Sequence, residues 1–291
     1  MLALLMLLLP VLSLSLSLPP AAELPPLSNV TEIAKGVFMP RVSMGHSDSS
    51  SATSKQVAAL WLKEGGRGLD TANSYHNQDQ VGAAVKESGI PRASIFITTK
   101  IFCAGNASGA AAAIDADLKM LGLPQVDLML IHRPYPYPGH PEQCHTPRGR
   151  AETWKGLEQA LAAGKTRAIG VSNFNSTELA ALLETASVTP AINQCKLSVG
   201  AHDDVTISFC KAHGIQYEAY SPLRGGEMSL PAVEKIGTSH GKSGAQVVLR
   251  WIIQQGHLLA TSADNAGFDK EDLDLFDWSL TAAEMETLSA I

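Results

Sequence analysis

The chain has 291 residues, 45% of them hydrophobic, and a formal net charge of −6. That is enough material for one large buried core or for two smaller domains. The acidic balance excludes the basic footprint of a nucleic-acid binder, and the four cysteines, Cys103, Cys144, Cys195 and Cys210, lack metal-ligand spacing, so no metal site is expected.

Residues Met1 to Leu18 are Leu, Met, Val, Ala and Ser with one proline, Pro10, and no charge. Residues 1–22 read as a signal peptide cut after Ser17 or Ala22, although the usual positive start is missing. An uncleaved membrane anchor is the alternative, because the length just suffices to span a bilayer. The expected location is the secretory pathway or the outside of the cell, with a membrane-anchored or organellar form as the alternative. Any membrane association runs through this segment alone. The sequons at Asn29, Asn106 and Asn175 are compatible with that route, though such triplets also arise by chance. A Pro-rich linker is expected over residues 23–36.

From Val37 the pattern alternates. Short apolar runs read as strands at 41–44, 68–70, 95–100, 126–131, 166–171, 191–194, 216–219 and 257–261. Helix-period segments lie between them at 54–64, 78–88, 108–121, 150–163, 176–185, 203–213, 230–240 and 243–255. Eight strand–helix units predict an α/β fold in which residues 37–291 form a single (β/α)8 TIM barrel. Ser176, followed by an acid, predicts a capped start for the fifth of these helices. A doubly wound sheet would need a glycine fingerprint after the first strand, and Gly45-His46-Ser47-Asp48 is not one. Cys195 and Cys210 read as small core residues. Cys103 and Cys144 fall in loops on the active face, reduced by default, with a disulfide as the alternative in an oxidising compartment.

Three strands end in single polar groups: Gly68-Leu69-Asp70, Ile95 to Lys100, and Val126 to His132. Tyr75 follows the first by five residues. A protonated phenol can give its proton to an oxygen that is becoming negative, and a nearby ammonium makes that proton easier to give. Lys100 supplies such a charge, Asp70 can hold Lys100, and His132 can orient the same oxygen. Singly, each has a blander reading: a turn former, a packing ring, a surface charge, a structural imidazole. Together, at successive strand ends, they point to one cluster. The set holds a general acid and no activated Ser or Cys nucleophile. That fits carbonyl reduction by a hydride from a bound cofactor.

These residues, with Gly170-Val171-Ser172-Asn173-Phe174, Asn193-Gln194, Ala219-Tyr220-Ser221-Pro222-Leu223 and Ala245 to Trp251, resemble the aldo-keto reductases from about Met39 onward. The resemblance implies a catalytic tetrad of Asp70, Tyr75, Lys100 and His132, with Tyr75 as general acid. It implies that Ser172, Asn173 and Gln194 hold the nicotinamide carboxamide and that Tyr220 stacks on its ring. Ser221 and Leu223 match positions near the pyrophosphate, and Ser262 and Glu271 match adenosine-side positions. The expected cofactor is NADPH or NADH, the partner a small-molecule carbonyl compound, and the protein a monomer.

The chain departs from that pattern in several places. Thr261 stands where a Lys, and Gly267 or Phe268 where an Arg, would hold a 2′-phosphate. The nearest cation is Lys270, with Asp264 and Asp269 adding repulsion. Losing both cations removes several kcal/mol at most, at roughly 1.5–3 kcal/mol per charged hydrogen bond. NADH use, dual use and weak cofactor binding are all open. Arg133 replaces a Trp after His132 and places a cation at the substrate mouth, which favours carboxylated or phosphorylated carbonyl compounds. His46 replaces a Thr near the cofactor. The chain ends at Ile291 without a further loop, so an open pocket of broad range is expected. The alternative to an oxidoreductase is a catalytically weak barrel kept as a binding or interaction module.

Overall fold

The computed structural model describes residues 29–45, 53–135, 142–262 and 266–291. The stretch 1–22, the first part of the expected linker (23–28), His46 and Asp264 lie outside the described residues.

The described chain begins with an antiparallel hairpin, β1 (Val30–Ala34) and β2 (Val37–Pro40). Its turn uses Gly36 at φ 71°, a conformation glycine adopts without a Cβ penalty. Residues 30–36 are therefore strand and turn where a linker was expected. The reason is burial: Ile33, Val37 and Met39 pack with Phe96, Leu128, Ala168, Ile192 and Leu258, which lie toward the starts of barrel strands. The hairpin plugs that end of the barrel.

The remaining elements, in order, are β3 (Val42–Gly45), α1 (Ser54–Lys63), β4 (Gly68–Asp70), α2 (Gln78–Glu87), β5 (Phe96–Ile101), α3 (Ala107–Leu121), β6 (Val126–Ile131), α4 (Pro147–Ala162), β7 (Thr166–Ser172), α5 (Ser176–Leu183), β8 (Ile192–Lys196), α6 (Asp204–Ala212), β9 (Gln216–Tyr220), α7 (Pro231–His240), α8 (Gly244–Gln254), β10 (Leu258–Thr261), α9 (Ala266–Leu273) and α10 (Ala282–Ser289). Strands β3 to β10 are parallel and close on themselves, β10 pairing with both β9 and β3. This is the expected (β/α)8 barrel, with strand ends shifted by one or two residues. Strands β4, β5 and β6 are buried at every position, as strands covered on both faces must be. At Gly170 in β7 a Cβ would stand 2.7 Å from the carbonyl oxygen of Ile192, so β7 and β8 approach as they do only with glycine there.

Two local expectations are corrected. The cap of α5 is Asn175 rather than Ser176. Its Oδ1 accepts from the Glu178 backbone N–H at 2.9 Å while Glu178 Oε2 accepts from the Asn175 N–H at 2.9 Å. Cys103 and Cys144, expected to be reduced, form a disulfide across a Cα separation of 5.9 Å. It ties the segment after β5 to the turn before α4. Arg150 clamps the same region, its Nη1 donating to the carbonyls of Pro134 at 3.3 Å and Cys144 at 3.2 Å. Cys195 and Cys210 are free; Cys210 is buried and Cys195 partly so.

Candidate active site

A cavity of about 950 Å³ opens at the carboxyl ends of the barrel strands. Barrel enzymes build their sites at this end. Asp70 ends β4, Lys100 lies near the end of β5, and His132 follows β6. Tyr75 closes a short 3-10 turn, Asn73–Tyr75, after β4. That turn is pinned from below, because Asn73 Nδ2 donates to Asp117 Oδ1 on α3 at 2.6 Å.

The four candidate catalytic groups come together. The Lys100 ammonium is fully buried, donates to Asp70 Oδ1, and donates to the Thr71 carbonyl at 3.1 Å. It sits 5.1 Å from the centroid of the Tyr75 ring. The imidazole of His132 meets Tyr75 edge-on at 5.6 Å and lies under the ring of Phe102 at 6.3 Å. Asp70, Tyr75 and His132 line the cavity, with Lys100 behind them.

Electrostatics set the protonation states. Burial pulls the Lys100 ammonium down, but Asp70 and Tyr75 beside it outweigh that, so its pKa is raised and it stays charged. Burial pushes His132 down to about 3, helped by Lys100 and Arg133, so the imidazole is neutral. The expectation for Tyr75 needs correcting. Lys100 does pull its phenol down, yet burial is the larger effect and the net direction is up. Tyr75 is therefore a fully protonated donor at neutral pH.

A second buried carboxyl lies beneath this cluster. Gln194 Nε2 donates to Asp70 Oδ2 at 2.8 Å and to Glu218 Oε2 at 2.9 Å. Burial and the Asp70 charge hold Glu218 above the usual carboxylate range. Both amide hydrogens of Gln194 are thus used below, which leaves its Oε1 as an acceptor. The sequence reading passed over Glu218, though it lies two residues before Tyr220 in β9, on the same face by strand alternation. It also passed over Ser74, whose Oγ lies 3.2 Å from His132 Nδ1; nothing in local pattern marks that contact.

All eight expected cofactor residues, Ser172, Asn173, Gln194, Tyr220, Ser221, Leu223, Ser262 and Glu271, line the same cavity. Asn173 is already engaged: Nδ2 donates to the His132 carbonyl at 2.9 Å, and Oδ1 accepts from the Tyr220 hydroxyl at 2.8 Å. Among the described residues the non-glycine positions with positive φ are His76, Asn173 and Ser221, at 53°, 62° and 54°, and all three line the cavity. Left-handed backbone at L-residues costs energy and gathers where a site demands it.

The far end of the cavity is lined by Thr261, Ser262, Phe268, Glu271 and Asp272. Thr261 donates to Asp272 Oδ2 at 2.8 Å, and Ser243 donates to Glu271 Oε2 at 2.7 Å. Burial, then Asp269 and Glu271, push Asp272 up to about 7. Lys270 reaches Glu64 at 3.5 Å.

The sequence profile of the aldo/keto reductase family matches residues 39–291. The chain belongs to that family. An aldo-keto reductase of Mycobacterium sp. (strain MCS) is 37% identical over 258 residues, 88% of this chain and 88% of the relative. The NADPH-dependent codeinone reductase 1-4 of Papaver somniferum is 34% identical, over 89% of this chain and 88% of the relative. The Bombyx mori aldo-keto reductase solved in complex with NADP superimposes with a TM-score of 0.82 at 28% identity, covering 90% of this chain and 92% of that one. As an aldo/keto reductase, the chain is an NAD(P)H-dependent oxidoreductase acting on carbonyl compounds. The cavity wall suits a nicotinamide dinucleotide: a free amide acceptor and an aromatic ring at one end, hydroxyls and a partly buried carboxylate at the other.

Proposed function

We propose that this cavity reduces an aldehyde or ketone to the alcohol with Tyr75 as the proton donor. When bound, the dinucleotide supplies the hydride. Tyr75 donates its phenolic proton to the carbonyl oxygen. Lys100, held charged by Asp70, stabilises the phenolate that remains. Neutral His132 donates a hydrogen bond to the same oxygen and fixes its place. Gln194 Oε1 accepts from the carboxamide of the nicotinamide, and Tyr220 packs on its ring. Ser172 and Asn173 support both: Ser172 donates to the Gln194 carbonyl at 2.7 Å, while Asn173 fixes Tyr220. The observation that carries this reading is the buried Lys100–Asp70 pair set 5.1 Å from the Tyr75 ring at the cavity wall.

For the dinucleotide we favour NADH. The Glu271 carboxylate lies at the end where the adenosine half must lie, with the half-ionised Asp272 bonded to Thr261 behind it, and a 2′-phosphate would bring two further negative charges to them. A ribose with both hydroxyls can instead donate to such carboxylates. The Cys103–Cys144 disulfide supports the secretory location expected for the chain, because disulfides persist in oxidising compartments. The test is dinucleotide oxidation with a panel of aldehydes, NADH and NADPH offered separately, alongside fluorescence quenching by each. Binding of neither and turnover of neither would overturn the reading.

A further inference from the structure

The reacting end of the cavity carries one charged side chain that proton transfer does not use. Arg133 directly follows His132, lines the cavity, and lays its guanidinium over the ring of Tyr135 at 5.8 Å. Its charge bears on three rings that face the same space. It draws down the phenols of Tyr75 and Tyr220, against the larger effect of burial, and it helps to keep His132 neutral. Arg133 follows His132 in sequence and lines the same cavity as Tyr75 and His132, so the guanidinium stands at the reacting end, where the carbonyl must be held. The other guanidinium on the wall, Arg224, lies past Leu223 on the segment after β9.

A neutral substrate gains little from Arg133. A carboxylate gains a planar fork of donors matched to its own geometry. We infer that the site selects carbonyl compounds that carry a carboxylate near the carbonyl, with Arg133 as the residue that recognises it. This rests on the carbonyl reduction proposed above. A carboxylate suits better than a phosphate, because one guanidinium balances one negative charge.

The experiment compares succinic semialdehyde with its methyl ester, which keeps the chain and the aldehyde and removes the charge. With the wild-type protein kcat/KM is at least tenfold higher for the acid, and the advantage shrinks as salt rises while the ester does not respond. In Arg133→Met the acid-to-ester ratio falls at least tenfold, chiefly through KM, and Arg133→Lys keeps part of it. Quenching of protein fluorescence by the dinucleotide checks that each variant is folded. Equal kcat/KM for acid and ester in the wild type, or a ratio that survives Arg133→Met, overturns the inference and leaves carbonyl reduction standing. A phosphorylated aldehyde preferred over the carboxylated one overturns the choice of carboxylate. Reduction of neither compound overturns the reading beneath, and this inference with it.

Discussion

Ser74 Oγ and His132 Nδ1 lie 3.2 Å apart. A neutral imidazole has one donor and one acceptor nitrogen, and the partner of one decides the role of the other. When the Ser74 hydroxyl donates to Nδ1, the proton sits on Nε2, where it can meet a carbonyl oxygen. Ser74→Ala should lower kcat/KM by about tenfold, or ~1.4 kcal/mol. Nitrogen-15 NMR of the His132 ring should show mainly the Nε2–H form in the wild type and a mixture in the variant. An unchanged tautomer in the variant would mean Ser74 does not set it.

Replacing the proton donor separates chemistry from binding. Tyr75→Phe should reduce turnover by two orders of magnitude or more, in the range that a positioned general acid contributes. The dissociation constant of the dinucleotide, read by fluorescence quenching, should stay within a few-fold. Lys100→Met should be as severe in rate, and it should also destabilise the fold. It leaves Asp70 as a buried charge without its ammonium. Undiminished reduction by Tyr75→Phe would falsify the assigned role.

Asp272 gives a pH prediction. Its folded pKa of about 7 lies above the 3.8 of an ordinary aspartate, so the folded chain holds this proton more tightly than the unfolded chain does. The contribution to stability is fully present below about pH 4 and is lost as pH rises toward and through 7. Asp272→Asn should flatten that part of the curve and raise stability at pH 8 by roughly 1–3 kcal/mol. The same variant removes the partial negative charge that Asp272 carries near pH 7 from the adenosine end. It should shift the ratio of dissociation constants toward NADPH. Denaturation across pH and binding titrations with both dinucleotides check the two halves separately.

The disulfide closes a loop with a sequence separation of 41. By loop-closure entropy that restriction of the unfolded chain is worth about 4 kcal/mol at most. A Cys103→Ala, Cys144→Ala double variant should lose a large part of this in urea denaturation, and reductant should lower the wild type toward the same midpoint. The variant should not respond to reductant. Equal midpoints for wild type and variant would show that the bridge adds nothing.

The cluster was legible because Asp70, Lys100 and His132 each stand at the end of an apolar run and Tyr75 follows the first of them closely, and a barrel brings such ends to one face. Gly68-Leu69-Asp70 needed only three residues to declare itself. Glu218 was half legible: strand alternation aims it inward, but no local pattern says that Gln194 will bridge it to Asp70. Ser74 was not legible, since its contact spans 58 residues and depends on how the Asn73–Tyr75 turn is rolled. The pairing of Cys103 with Cys144 depends likewise on a fold-level approach of two loops. The hairpin was hidden by its Pro-rich approach, and only the apolar Ile33, Val37 and Met39, seen against the barrel floor, explain it. The sign of the Tyr75 shift depended on how deeply the ring is buried, a quantity that composition does not carry.

The plug that this hairpin forms has a kinetic consequence. The barrel core is packed and its floor is covered by the hairpin, so both reactants must enter the cavity at the carboxyl ends of the strands. Whichever lies deeper has to arrive first and depart last, so the two cannot be exchanged independently. Initial-rate and product-inhibition patterns should then show an ordered sequence of binding and release.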